Sequence, residues 1–263
     1  MIVKKRLYYC IYILFIITSA CSFTNENSAT HPETTSLTVA AASDLQFAFT
    51  ELAKKFENAS NCHVDLVFNS SGTLTRQIEQ GAPYDIFASA NIEFVDNLRK
   101  KGKTIPNTQK LYATGEIGMV SLLNKSSHPT KLHDLLNPEI KKIAIANPEH
   151  APYGLAAKQA LESSGLWDKL QNKLVYGKSV ADTLTLVTSG NAETGIVAHS
   201  IITEDMQYSG IDEQLHEPIN QAITVVAGTD NKDLAIEFIQ YVISNEGQSI
   251  LRKYGFNSPD AVK

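Results

Sequence analysis

Residues 37–80 read LTVAAASDLQFAFTELAKKFENASNCHVDLVFNSSGTLTRQIEQ, and this stretch decides the fold class. It holds two short apolar segments, 37–41 and 64–68, which have the length and composition of buried strands. Each segment is followed by a polar turn and then by apolar residues at helical spacing, such as Leu45, Phe49 and Leu52. A strand–helix–strand–helix order predicts strands joined by helices, and therefore an α/β fold.

The same alternation continues to the end of the chain. Further strands are expected at 85–89, 118–123, 143–146, 195–198 and 223–227. Helical patterns follow at 92–101, 154–164, 180–188 and 233–245. Helices of this length between strands are typical of mainly parallel sheets. No repeat of fixed period is present, which argues against a solenoid.

The N-terminus has the pattern of an export signal. Lys4, Lys5 and Arg6 precede an apolar run at 7–17, which is shorter than the roughly 20 residues that cross a bilayer. We therefore expect a signal peptide at 1–20, a periplasmic destination and a flexible polar tether at 21–36. Cys21 follows small residues and resembles the lipobox cysteine of bacterial lipoproteins, although Thr18 departs from the usual aliphatic residue. Lipidation at Cys21 and plain cleavage remain alternatives.

Charge and cysteine content limit the classes of partner. The chain has 23 Lys and Arg against 28 Asp and Glu, and removal of the signal lowers its net charge from −5 to −8. Such an acidic protein is a poor match for nucleic acid or an anionic membrane surface. After Cys21 only Cys62 remains, so no disulfide framework is expected. A bridge between Cys21 and Cys62 stays open if Cys21 carries no lipid.

Four predicted strand-to-helix junctions carry the residues of chemical interest. A helix start has unpaired N–H groups and the positive end of the helix dipole, and several starts that meet in one cleft form an anion site without Lys or Arg. In α/β sheets, ligands bind at the carboxyl ends of the strands, where these junctions lie. Spacing alone does not select which starts converge. The junctions lie at 40–45, 69–74, 147–155 and 178–182.

Catalytic and metal-binding motifs are absent from the sequence. Gly177-Lys178-Ser179 lacks the leading glycine of a phosphate loop, because position 172 is Asn. No GxSxG, HExxH or GxGxxG occurs, and no motif pairs Ser43 or Ser71 with a histidine base. His150 and His199 lack partners at metal-ligand spacing. We therefore expect neither an enzyme nor a site for a free metal ion.

Several segments resemble the molybdate-binding proteins of ABC importers. The resemblance extends from about residue 37 to 256 and implies a type II periplasmic binding fold, in which two lobes joined by two crossovers close by a hinge motion. It implies one lobe at 37–113 and 223–263 and the other at 114–222. The matching segments are 40–43, 68–83, 85–90, 147–150, 195–197 and 254–256.

The resemblance also implies a binding site and a function. Ser43 and Ser71 correspond to hydroxyl and backbone donors, and Tyr153 and Val180 to backbone N–H donors. Asp44, Ser70 and Ala198 are further candidates; at Ala198 many members have a tyrosine whose hydroxyl reaches the anion. The implied protein is a monomer without a cofactor that binds molybdate or tungstate and delivers it to a membrane permease. The alternative is a protein of the same fold for sulfate, phosphate or a small organic acid.

The orientation of Asp44 bears on this choice. Molybdate and tungstate are fully deprotonated at neutral pH and require only donors, whereas hydrogen phosphate carries a proton and requires an acceptor. An Asp44 carboxylate that faces solvent or caps its helix predicts a donor-only site. A carboxylate that points inward makes phosphate a plausible ligand.

Overall fold

The computed structural model describes residues 35–123 and 128–259. Within them the helices and strands alternate over most of the chain, which confirms the predicted α/β class. The signal segment at 1–20, Cys21 and most of the tether lie outside the described residues. The strands are β1 Thr35–Ala42, β2 Cys62–Asn69, β3 Ile86–Ser89, β4 Lys110–Gly115, β5 Ile117–Leu122, β6 Ile143–Ala146, β7 Leu174–Gly177, β8 Thr194–Ala198, β9 Met206–Gly210 and β10 Ile219–Val225.

The α-helices have bounds near those predicted, with one exception at the C-terminus. They are α1 Gln46–Ala59, α2 Ser71–Glu79, α3 Ile92–Lys100, α4 Pro152–Ser163, α5 Trp167–Leu170, α6 Val180–Thr188, α7 Lys232–Ile243 and α8 Asn245–Lys253. The helix expected at 233–245 corresponds to α7, and α8, which follows it, was not predicted. The break falls at Ser244, which has an extended backbone and whose hydroxyl caps α8 by accepting from the N–H of Gly247.

The strands form two five-stranded mixed sheets. Sheet I has the order β2-β1-β3-β10-β4, and sheet II has the order β7-β6-β8-β5-β9. In sheet I, β1 pairs in parallel with β2 and β3, whereas β10 pairs in antiparallel with β3 and β4. In sheet II, β6 pairs in parallel with β7 and β8, whereas β5 pairs in antiparallel with β8 and β9. The expectation of mainly parallel sheets is therefore wrong.

The antiparallel pairs follow from the way in which the chain crosses between the sheets. Only Glu116 separates β4 of sheet I from β5 of sheet II, and residues 211–218 return the chain from β9 to β10. Strands that enter a sheet through such crossovers need no helical connection to their neighbours, so they are free to pair in antiparallel. Two crossovers between two sheets are the connectivity that the resemblance implies.

Apolar side chains cover the faces of both sheets, and the helices pack against them. β1 is buried from Val39 to Ala42, as expected of a strand covered on both faces. On α1, Phe49 and Phe56 contact Phe238 of α7 with their rings edge to face. This packing holds the strand ends and the helix starts in place. Among the described residues, no helix is both long enough and apolar enough to cross a membrane.

Candidate functional site

One small cavity, of about 10 Å³, lies where the four predicted junctions meet. We call it the junction cavity. It contains the candidates Ser43, Ser71, Tyr153 and Val180, together with Asp44 and Ser70. The tertiary structure thus brings together helix starts that follow strands of both sheets. The lining residues are Ala42, Ser43, Asp44, Ser70, Ser71, Ala90, Ala151, Pro152, Tyr153 and Val180.

Three α-helices begin at the cavity wall. Ser71 and Val180 are the first residues of α2 and α6, and Tyr153 is the second residue of α4 after Pro152. The first backbone N–H groups of a helix have no acceptor within the helix, and the dipole adds positive potential at the same end. None of the lining residues is a lysine or an arginine. The positive potential of this cavity therefore comes from backbone dipoles.

Two buried serine hydroxyls add donors to the backbone groups. The Ser71 Oγ accepts from the backbone N–H of Ala90 at 2.9 Å, and the Ser43 Oγ accepts from the N–H of Ala181 at 3.3 Å. Neither hydroxyl donates to a group among the described residues, so the single O–H of each serine is available for donation to another group. Both serines are almost fully buried, so the bound group would receive these bonds away from water.

Ser70 has a different task from Ser71. Its Oγ caps α2 by accepting from the N–H of Thr73, donates to the Thr73 hydroxyl, and lies 3.0 Å from the Nδ1 of His150. The neighbouring N–H of Gly72 donates to the main-chain oxygen of His150 at 2.9 Å. These bonds join the start of α2, which follows sheet I, to the loop before α4, which follows sheet II.

Asp44 turns its carboxylate into the protein. Its Oδ2 accepts from the Nε2 of Gln221 at 2.7 Å and from the hydroxyl of Tyr153 at 2.9 Å, and the Tyr112 hydroxyl donates to Gln221 at 2.6 Å. The carboxylate caps no helix. Burial raises the pKa of Asp44 to about 6, although the bonds from Gln221 and Tyr153 act in the opposite direction.

Ala198 does not line the junction cavity. It is the buried last residue of β8, and the turn that follows it brings the Ser200 hydroxyl within 2.8 Å of the main-chain oxygen of Asp44. Many members of the family have a tyrosine at the position of Ala198, and its hydroxyl reaches the anion. Among the described residues, the one tyrosine that lines the cavity is Tyr153, and its hydroxyl already donates to Asp44, so it does not take the place of that tyrosine.

Sequence reasoning missed two contributors to the site. Ala90 lines the cavity and holds the Ser71 hydroxyl, and Gln221 holds Asp44. Ala90 carries no side-chain signal, since it acts through its backbone. Gln221 is fully buried in β10, beside the partly buried Asn220, and an amide at a core-facing position of a strand is a signal that could have been read.

Neither histidine singled out in the sequence belongs to a metal cluster. His199 stacks on Tyr208 with ring centroids 4.6 Å apart, and His150 contacts Ser70. Within 35–123 and 128–259, no group of three or more His, Cys, Asp or Glu side chains is placed to hold a metal ion. Cys62 is a buried free thiol.

Known proteins with similar sequences and structures bear on this site. Residues 37–257 match the family of bacterial extracellular solute-binding proteins. YvgL of Bacillus subtilis, named as an ABC transporter substrate-binding lipoprotein, is 32% identical over 260 residues, which are 97% of this chain and 98% of YvgL. The molybdate-binding protein ModA of Azotobacter vinelandii is 32% identical over 228 residues, which are 83% of this chain and 88% of ModA.

A solved structure agrees with the sequence matches. The periplasmic molybdate-binding protein of Azotobacter vinelandii superposes with a TM-score of 0.80 at 29% identity, and the match covers 85% of this chain and 99% of that one. The two sheets and two crossovers described above therefore form the two-lobed periplasmic binding fold, as the resemblance implied. By its sequence over 37–257 and by its fold, this chain belongs to the family of bacterial extracellular solute-binding proteins.

Proposed function

We propose that this protein binds molybdate, and also tungstate, in the junction cavity and delivers it to the permease of an ABC transporter. The observation that carries the proposal is the convergence of helix starts and two serine hydroxyls on one buried cavity without a cationic side chain. A fully deprotonated tetrahedral anion matches a set of donors that come from several directions. Relatives named as molybdate-binding proteins support the same ligand.

Each proposed contact follows from the position of its group. Ser43 and Ser71 donate through their hydroxyls, whose oxygens already accept from Ala181 and Ala90. Tyr153 and Val180 donate through the backbone N–H groups at the starts of α4 and α6. The anion would then be held from both sheets, which favours a closed arrangement of the two lobes at 37–113 with 223–263 and at 114–222. We propose a monomer that carries no cofactor and catalyses no reaction.

One observation favours a second candidate ligand. The Asp44 carboxylate points inward, and it supplies the acceptor that a protonated anion such as hydrogen phosphate requires. Within the alternative of a same-fold protein for sulfate, phosphate or a small organic acid, this observation favours phosphate.

Calorimetric titration of the purified protein with molybdate, tungstate, sulfate and phosphate tests the proposal. We expect tight binding of molybdate and tungstate, because the donors outnumber the single acceptor. Tight binding of sulfate or phosphate without binding of molybdate would show that the proposed ligand is wrong.

We also propose that Cys21 is lipidated and anchors the protein outside the cytoplasm. The support is the lipobox-like position of Cys21 and the similarity to YvgL, which is named as a lipoprotein, over 97% of this chain. A Cys21→Ala variant should move from the membrane fraction to the soluble extracytoplasmic fraction. Membrane attachment that persists in the variant, or a mature protein without lipid mass, would contradict the anchor.

A further inference from the structure

Asp44 is the one carboxylate among the residues that line the junction cavity. Its side chain is almost fully buried, and its two oxygens differ in environment. Oδ2 accepts from Gln221 and Tyr153, whereas Oδ1 has no hydrogen-bond partner among the described residues. A buried carboxylate oxygen without a partner is costly, and it indicates a place where a proton or a ligand completes the bonding.

We propose that Asp44 determines which oxyanions the cavity binds, through one proton that Oδ1 shares with the bound anion. The inference rests on the proposed function, since it needs an oxyanion in the junction cavity. It separates oxyanions into two kinds, those that carry a proton when they bind and those that do not. A fully deprotonated anion binds when Asp44 is protonated, and a singly protonated anion binds when Asp44 is ionised.

The surroundings of Asp44 provide no positive side chain that would hold its carboxylate ionised beside an anion. The titratable groups nearest to it are the Tyr153 hydroxyl and, behind Gln221, the Tyr112 hydroxyl, and burial beside Asp44 raises the pKa of both well above their usual values. None of the charged groups on the described elements packed against this turn bonds to the Asp44 carboxylate. These groups are Glu51, Lys54, Lys55 and Glu57 of α1, His63 and Asp65 of β2, Asp182 of α6, and His199 after β8.

A bound dianion therefore favours the neutral form of Asp44. The pKa of Asp44 is already raised to about 6 by burial, and a dianion beside it raises this pKa further. At higher pH, molybdate or sulfate must take one proton from solvent onto Asp44 as it binds. Hydrogen phosphate brings its own proton and needs none. The number of protons taken up per anion thus distinguishes the two kinds of ligand.

The first measurement is calorimetry of the purified protein in buffers of different ionisation enthalpy. Titrations with molybdate, sulfate and phosphate are run between about pH 5 and about pH 8, on either side of the pKa of Asp44. Near the upper end we expect uptake of about one proton per molybdate or sulfate and none per hydrogen phosphate. The apparent Kd of the dianions should rise by up to about tenfold per pH unit above about pH 6.

An Asp44→Asn variant should make the cavity prefer dianions to hydrogen phosphate at high pH, the reverse of the preference expected for the unaltered protein. Tyr153 and Gln221 both donate to the position of Oδ2, so the amide oxygen takes that place and the amide N–H₂ takes the place of Oδ1. The acceptor becomes a donor, so proton uptake disappears, dianion affinity no longer falls with pH, and hydrogen phosphate loses affinity. Asp233→Asn is the matched control, because it removes the same charge from an exposed carboxylate in the first turn of α7, a helix with no residue in the cavity wall.

A Tyr153→Phe variant tests the role of Asp44 without altering its carboxylate. It keeps the backbone N–H at the start of α4 but removes the hydroxyl bond that lowers the pKa of Asp44. The pH at which dianion affinity begins to fall should therefore shift upward. This shift separates a shared proton from a merely structural carboxylate, which would leave the pH profile in place.

The possible outcomes separate this inference from the proposed function. If sulfate binds and molybdate does not, the ligand assignment is wrong, and the proton uptake with sulfate still decides the role of Asp44. If a dianion binds the unaltered protein without proton uptake and with an affinity independent of pH, the inference is overturned and the ligand assignment stands. If none of the three anions binds at any pH, both are overturned.

Discussion

Ser43 and Ser71 each combine two hydrogen-bonding tasks in one hydroxyl. The oxygen accepts from a backbone N–H of a neighbouring element, which fixes its position, and the hydrogen remains for a ligand. Helix starts alone would leave the anion exposed to competition from water. In the proposed site, the two buried serine hydroxyls complete the set of hydrogen-bond donors around the anion.

Loss of either hydroxyl should therefore weaken anion binding. We expect Ser43→Ala and Ser71→Ala each to reduce the binding free energy of molybdate by about 1–3 kcal/mol, the range for a hydrogen bond to a charged group. Ser71→Ala should also lower stability, because the N–H of Ala90 loses its acceptor. Calorimetry measures the first effect and urea denaturation measures the second.

Ser121→Ala is the control for these substitutions. Ser121 is fully buried in β5, its hydroxyl has no partner within the described residues, and it does not line the junction cavity. Its replacement should leave molybdate affinity unchanged. Equal affinity in the Ser43 and Ser71 variants and in the Ser121 variant would exclude both hydroxyls from the site.

Asp44 should make the stability of the anion-free protein depend on pH. Its pKa is about 6 in the folded protein and 3.8 as its ordinary value, so the folded state holds the proton more tightly. The contribution of Asp44 to the free energy of unfolding is therefore fully present below about pH 4. It falls by about 3 kcal/mol in total as the pH rises through the folded-state pKa of about 6. Above that pH the ionised carboxylate remains buried at a constant cost.

The comparison with Asp44→Asn isolates this effect from the other titrating groups. Urea denaturation of both proteins should show that the variant gains up to about 3 kcal/mol relative to the unaltered protein between about pH 4 and about pH 7. If the difference in the free energy of unfolding between the two proteins stays constant over this range, Asp44 has an ordinary pKa in the folded protein.

At the level of elements, the starts of α2 and α4 are in direct contact. A Cβ at Gly72 would lie 2.7 Å from the main-chain oxygen of His150 and 2.9 Å from its Cα, closer than atoms pack. The N–H of Gly72 donates to that same oxygen. The contact joins a helix of sheet I to a loop of sheet II, so the absence of a side chain at Gly72 allows the two sides of the cavity to meet.

Gly72→Ala should weaken anion binding more than it weakens folding. The added methyl group forces the start of α2 away from His150, and separates donors that must act on one anion. We expect the molybdate Kd to rise about tenfold or more, on the scale of overpacking costs. Calorimetry and thermal denaturation of the same variant provide the two measurements.

Gly154→Ala provides the contrasting case. A Cβ at Gly154 would lie 2.1 Å from the main-chain oxygen of Ala146, so the clash is between α4 and β6 on the same side of the cavity. This variant should lose stability first. If Gly72→Ala behaves like Gly154→Ala, the contact with His150 serves folding rather than the closure of the cavity.

At the scale of the whole molecule, an acidic protein is proposed to bind an anion. The net charge of −5 becomes −8 without the expected signal peptide, and this total says little about the cavity. Long-range repulsion is screened over about 8 Å at physiological salt, whereas backbone dipoles act at contact distance. The backbone dipoles at the cavity wall therefore determine whether a small anion can bind there. The net charge bears only on large partners such as nucleic acid or a membrane surface.

Anion affinity should consequently respond weakly to salt. Raising NaCl from about 0.05 M to about 0.5 M should change the molybdate Kd by less than about threefold, because no exposed ion pair is broken on binding. Fluorescence or calorimetric titration at several salt concentrations measures this. A tenfold loss of affinity would indicate that lysine or arginine side chains outside the described cavity wall hold the anion.

Local sequence patterns were enough to predict the α/β class, most of the helix and strand positions, and the junctions that carry the proposed donors. These are local properties, because apolar periodicity and capping serines such as Ser70 and Ser179 act within one or two turns of chain. The helix at 180–188 was predicted with the bounds that α6 has.

Which junctions meet, and where the Asp44 side chain points, depend on long-range packing. The antiparallel pairs of β5 and β10 depend on the crossovers between the sheets, and the bonds from Tyr153 and Gln221 to Asp44 join residues more than a hundred positions apart. Contacts at such separations depend on the packing of whole elements, which local sequence patterns do not encode. The proposed anion donors are thus visible in the sequence, whereas their convergence and the position of the Asp44 acceptor among them emerge only on folding.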